Sequence, residues 1–181
     1  MTAASGSRRN GSDVTGTRGR VLAVDVGSVR VGLAVTDPDR LLASPLSTIA
    51  VPVGEPPSGA ISAVVAVVAA ESVAQVVVGL PLSLSGKPGA AAEGARDFAV
   101  QLQRRLDGVP VRLVDERFTT TTAHQAMAAS GRSSRARRAA IDQAAAVVLL
   151  QHVIDADRAA GPTGRRIGDW VTAVPAEEIS A

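Results

Sequence analysis

With 181 residues the chain has room for one domain with a full core and modest tails, and two full domains would be a squeeze. The absence of cysteine excludes disulfides, thiolate metal ligands and cysteine nucleophiles. The formal charge is only +2, and the pI of about 10.3 overstates the basicity: there is no tyrosine and Lys87 is the sole lysine, so almost nothing titrates between neutrality and the lysine range. No apolar run is long enough to span a bilayer, and the N-terminus lacks the apolar block of a secretory signal, so the expectation is a cytoplasmic protein without a membrane partner.

Residues 1–19 are polar and aperiodic and are expected to be disordered, which starts the folded domain at Arg20. RVLAVDV reads as a buried strand. VRVGLAVTD alternates into a second, and Val26-Gly27-Ser28 makes the tight connection of an antiparallel hairpin. Leu41 to Ile49 reads as a third strand, which Pro45 assigns to an edge. Pro52 to Gly59 is a loop, and the Ala/Val-rich stretch from Ile61 to Ser72 a helix. QVVVGLP is a short buried strand, SLSGKPG a loop, and Ala90 to Leu106 a helix with Phe98, Leu102 and Leu106 recurring every fourth residue. VPVRLVDE is the next strand. Thr119 to Thr122 offer cap hydroxyls for a helix to about Ala129, which Gly131 stops. RSSRARR is read as a basic, mobile loop, followed by a last helix from about Arg138 to Arg158 that Gly161-Pro162 ends. Residues 161–181 are weakly patterned and are expected to be a tail, leaving one domain over 20–160. An antiparallel start followed by βα units predicts an α/β fold, a mixed sheet flanked by helices.

Three acidic motifs stand out: Asp25 ending the first strand, Asp115 and Glu116 ending the last, and Asp142 near the start of the last helix. Carboxylates beside apolar runs are costly unless something positive neutralises them, so three such sites in one small domain point to a shared metal-ion centre and to a metal-dependent nuclease. Ligands in open α/β sheets gather at the carboxyl ends of parallel strands, where these acids can converge. Adjacent strand residues point to opposite faces, so Asp115 and Glu116 are not equivalent ligands, and the spacing does not choose between them. Taken singly, a DER tripeptide can be a salt-bridged surface and an Asp near a helix start a cap. Between the second and third motifs lie Arg117, Arg132, Arg135, Arg137 and Arg138 with no acid among them, a local patch suited to phosphates. Lys87 is a further phosphate candidate. Solvated surface is the plainer reading of these cations. His124 and His152 are isolated and lack a partner at zinc spacing.

The motifs VDVGSVRVGLAVTD, VVGLPLSLSGKPG, VDERFTTTTA and IDQAAAVVLLQ, in this order over about residues 20–158, resemble the YqgF (RuvX) family of pre-16S rRNA nucleases, also described as Holliday-junction-resolvase-like proteins. The resemblance implies a ribonuclease H-like fold, a cytoplasmic location and a metal-ion nuclease whose catalytic, metal-holding acids are Asp25, Glu116 and Asp142, favouring Glu116 over Asp115. Two departures occur. Ser83 follows GLPL where the family often has Asn, and the basic loop is built on arginine rather than lysine, which favours bidentate phosphate contacts. The implied chemistry is phosphodiester hydrolysis with Mg²⁺ or Mn²⁺.

Aromatic content of 2% leaves little for base stacking, so backbone and duplex shape are the expected readout, which suits a pre-rRNA end and branched DNA alike. A resolvase acting on two symmetric strands needs a dimer, whereas a monomer favours the RNA; the expectation is a monomer or weak homodimer. A non-catalytic RNA-binding protein keeping the acids is the alternative of another class. A phosphotransferase of the actin and sugar-kinase type is a further rival, disfavoured because only one copy of the fold is present and GLPLSLSGKP is not a P-loop.

Overall fold

The computed structural model describes residues 19–52, 57–82, 89–116, 134–162 and 164–166; of 134–142 and 165–166 it describes the backbone alone. The helix expected from Thr119 to about Ala129, the expected disorder of residues 1–18 and most of the expected tail lie outside the described residues.

The chain runs β1 (Arg20–Val26), β2 (Arg30–Thr36), β3 (Ala43–Ala50), α1 (Ser58–Ala70), β4 (Val73–Leu80), α2 (Ala90–Arg105), β5 (Val111–Asp115), α3 (Ser134–Ala160) and β6 (Arg165–Arg166). The strands form one sheet in the order β3-β2-β1-β4-β5-β6. The β1–β2, β2–β3 and β5–β6 pairs are antiparallel, whereas β1–β4 and β4–β5 are parallel, so the expected mixed sheet is present.

Strand periodicity splits the core in two. Leu22, Val24, Leu33, Val76 and Val78 turn to one face, where Ile61 and Val64 of α1 and Phe98 and Leu102 of α2 cover them. Val21, Ala23, Ala34, Val77 and Val114 turn to the other and meet Ala146, Leu149, Leu150 and Val153 of α3. Both faces of β1 and β4 are therefore buried, which is why these strands read as continuous apolar runs.

Several boundaries differ from the expected ones for physical reasons. β3 is the predicted edge strand, with a register irregularity opposite Leu33 and Ala34 where Pro45 pairs, but it starts at Ala43 rather than Leu41. The Asp37 carboxylate accepts from the backbone N–H groups of Leu41 and Leu42 at 2.8 and 2.7 Å and holds both in a turn. α1 is shifted toward the N-terminus because Val73 must pair with Arg20 to open β4. The reading of RSSRARR as a mobile loop is corrected from Ser134 on, where α3 begins, so positions 135, 137 and 138 sit in its first two turns; positions 132 and 133 lie outside the described residues. Arginine and alanine are good helix formers, and no breaker follows Gly131, so charge density was a poor sign of a loop. Residues 165–166 pair with Leu113 and Arg112 as a two-residue strand, too short to carry any periodicity.

Candidate active site

Asp25 continues the parity of Val21 and Ala23, so β1 presents it on the α3 face at the carboxyl end of the sheet. The chain then turns through Gly27, whose N–H donates to the Arg30 carbonyl at 2.9 Å. A Cβ at position 27 would stand 2.9 Å from that same carbonyl oxygen, and backbone does not yield, so this turn requires glycine. Asp25 pairs with Gly32, and the period of two puts Arg30 on the same face and at the same end as Asp25.

On β5 the alternation settles which acid shares that face. Val111 and Leu113 belong to the α1/α2 core, and Asp115 follows their parity; Val114 belongs to the α3 core, and Glu116 follows it. Glu116 lies one residue past the strand, its N–H still donating to the Leu80 carbonyl at 3.2 Å. Its side chain reaches back over β4. One step beyond the last β1–β4 pair, Val24–Val78, Gly79 stands between the strand of Asp25 and the strand of Glu116. A Cβ on Gly79 would fall on Glu116 Oε1, at 2.8 Å from its Cδ and 3.1 Å from Leu149 Cδ2. The carboxylate thus lies between the sheet and α3. Burial pushes its pKa up from the ordinary 4.5 to about 7, with the nearby charges of Asp25 and Asp115 adding to the shift.

Asp142 falls on α3, four and seven residues before Ala146 and Leu149, on the side of the helix that these turn to the sheet; its side chain lies outside the described residues. Among the described residues no group of three His, Cys, Asp or Glu stands in metal-binding geometry. Asp25 and Glu116 are brought to one face, and of Asp142, the third member of the expected trio, only the backbone is described. Lys87, Arg117 and Arg132 lie outside the described residues, as do the side chains of Arg135, Arg137 and Arg138. His152 is exposed, and His124 lies outside the described residues.

Sequence reasoning passed over two residues at this site. Arg30 was available by counting the period of two across the hairpin. Gly79 carried no signal, because its importance lies in what another strand places above it. On the opposite face a cavity of about 540 Å³ is lined by Val26, Val31, Phe98 and the start of α2; it holds none of the acids and is mostly apolar, so it does not suit a phosphodiester.

The family model RuvX, described as Holliday junction resolvase, matches residues 19–156. A protein of Kineococcus radiotolerans named "Putative pre-16S rRNA nuclease" is 49% identical over 154 residues, covering 80% of each chain. Proteins of the same name from Mycobacteroides abscessus and Streptomyces coelicolor are 45% and 46% identical, covering 90% and 83% of this chain and 96% and 89% of their own. Among solved structures, Thermus thermophilus RuvC in complex with a Holliday junction substrate superposes with a TM-score of 0.52 at 18% identity, over 81% of this chain and 99% of that one. That likeness establishes the ribonuclease H-like fold.

Proposed function

Because the chain belongs to the RuvX family, we propose that it is a metal-dependent endonuclease acting on structured nucleic acid, with the 5′ end of pre-16S rRNA as its substrate in ribosome biogenesis. The observation that supports this reading most is the meeting of Asp25 and Glu116 on one face, at the carboxyl ends of parallel strands, with Glu116 pushed up to about 7. Hard oxygen donors are what Mg²⁺ and Mn²⁺ take, and a divalent cation favours the charged form of Glu116 that burial and the charges of Asp25 and Asp115 disfavour, so the residues present fit such an ion. Asp25, Glu116 and Asp142 would hold it. When bound, the ion stabilises charge on the phosphate oxygens and makes a water more acidic.

The chain's own contribution is to fix the carboxylates on a rigid sheet and to hold the nucleic acid. Arg30 shares the acids' face and is suited to a phosphate next to the scissile one. Lys87, Arg117, Arg132, Arg135, Arg137 and Arg138 are assigned to phosphates further along, where they contribute affinity without sequence preference. A cytoplasmic location and a single domain over 20–160 belong to the same proposal; among the described residues no helix is long and apolar enough to cross a membrane.

The description of the matching family model favours one second reading, a Holliday junction resolvase working as a homodimer. The deciding experiment compares cleavage of a pre-16S rRNA 5′ fragment and a synthetic four-way junction in Mg²⁺ or Mn²⁺, with Asp25→Asn as control. Metal-dependent cleavage of the RNA, abolished in the variant, is the expected result. A preference for the junction selects the resolvase, and tight RNA binding without cleavage selects a non-catalytic binding protein.

A further inference from the structure

Gly79 sits in a strand whose other positions include Val73, Val76, Val77 and Val78, the residues a doubly covered strand favours. Its backbone does not call for glycine, since it is not among the described glycines with positive φ. Space is the remaining reason. The atoms that a Cβ at position 79 would meet are the carboxylate of Glu116 and, at 3.1 Å, a methyl carbon of Leu149. The nearer obstacle is the far end of a flexible side chain, so a larger residue is accommodated by moving the carboxylate and not by displacing the strand.

We propose that Gly79 is a positioning residue for Glu116, its missing side chain forming the floor over which the Glu116 carboxylate crosses β4 toward Asp25. The consequence for metal binding rests on the reading of these acids as ion ligands. The register supports the path: Gly79 pairs with Val114, two residues before Glu116, and stands one step past the Val24–Val78 pair, beside Asp25. The partial burial of Glu116 agrees, because its carboxylate can lie between β4 and α3 only while position 79 leaves that layer open. A side chain at 79 takes the space, swings the carboxylate away from Asp25 and leaves the sheet intact.

The test uses the full chain as wild type, Gly79→Ala, Glu116→Ala and the double variant. Calorimetric titration with Mn²⁺ gives affinity, and urea unfolding in EDTA gives metal-free stability. Gly79→Ala is expected to unfold at or near the wild-type midpoint while binding Mn²⁺ about 10–100-fold more weakly, the range for losing a group that orients a ligand. In the metal-free cycle the Gly79→Ala substitution is expected to act differently with and without the Glu116 side chain. Wild-type Mn²⁺ affinity in Gly79→Ala overturns the proposal, as does perfect additivity of the two substitutions in EDTA. If Gly79→Ala fails to fold, recovery of folding in the double variant upholds the contact and continued failure overturns it. If the wild type binds no Mn²⁺, the ion-ligand reading fails by itself, and the metal-free cycle still decides whether Gly79 positions Glu116.

Discussion

The face of the sheet under α3 has two ends, and they handle buried charge in opposite ways. At the end where β4 and β5 begin, Arg112 is 1% exposed and its guanidinium forks onto Asp157 of α3, with N–O distances of 2.6 and 3.2 Å and a longer contact of 3.4 Å to Gln75. Arg40 stands close by, its pKa lowered by burial and by the charge of Arg112. About 13 Å along the chain direction of β5, four residues on, Glu116 lies near Asp25 and Asp115, where burial, with their charges adding to it, makes its negative charge hard to hold. One end matches a cation to a carboxylate and ties the last turns of α3 to the sheet. The other brings Asp25 and Asp115 near a partly buried carboxylate, with Arg30 on the face of Asp25 at the same end. The first arrangement is architectural; the second is the one that the proposed divalent-ion site would use.

Removing a carboxylate should therefore have opposite signs at the two ends. Asp157→Ala takes the neutralising carboxylate from the nearly dry Arg112 guanidinium and is expected to cost about 3 kcal/mol, the lower part of the range for breaking a buried pair, because Asp157 is partly exposed and Gln75 remains in contact. Urea unfolding at pH 7 measures it, and a loss under about 1 kcal/mol would mean that water already reaches the guanidinium.

Glu116→Gln should stabilise the metal-free protein at high pH. The folded state holds the Glu116 proton up to about 7, whereas the unfolded chain releases it near the ordinary 4.5. Between those values the folded state binds more protons, so stability falls as pH rises through the window, and the loss is complete above about 7. The gain in Glu116→Gln is expected to be about 1–3 kcal/mol at pH 8, at ~1.4 kcal/mol for each tenfold change in proton affinity, and to vanish at pH 4; an equal effect at both pH values would refute the assignment. Asp25→Asn removes only one of the neighbouring charges, so its gain should be smaller and of the same sign, read by the same unfolding curves in EDTA. Replacing Arg135, Arg137 and Arg138 by Ala should leave unfolding nearly unchanged while flattening the salt dependence of nucleic-acid binding, by about 0.9 in logarithmic slope for each duplex phosphate that an arginine no longer neutralises. An unchanged slope reduces those residues to a solvated helix face.

Much of this was legible in the chain. The continuous apolar run in RVLAVDV and the alternation in VRVGLAVTD, with Gly27 between them, specified the hairpin, and Pro45 placed β3 at an edge. Phe98 and Leu102, four apart, correctly marked the buried stripe of α2. Adjacent acids at the end of β5 announced that one of them would share a face with Asp25. Charge density misled at RSSRARR, where helix propensity prevailed from Ser134 onward. The Arg112–Asp157 pair went unseen because its partners are 45 residues apart and each reads as an ordinary surface charge.

The sequence by itself determined what is periodic or local: strands, helices, the hairpin turn, the edge strand and the acids worth watching. Only the tertiary structure decided that Glu116 rather than Asp115 joins the face of Asp25, that Gly79 leaves the space between them, and that Arg112 is neutralised from α3. Those outcomes depend on register across β1, β4 and β5 and on which helix covers which face. Register and coverage are relations between segments distant in the chain, and no window of neighbouring residues contains them.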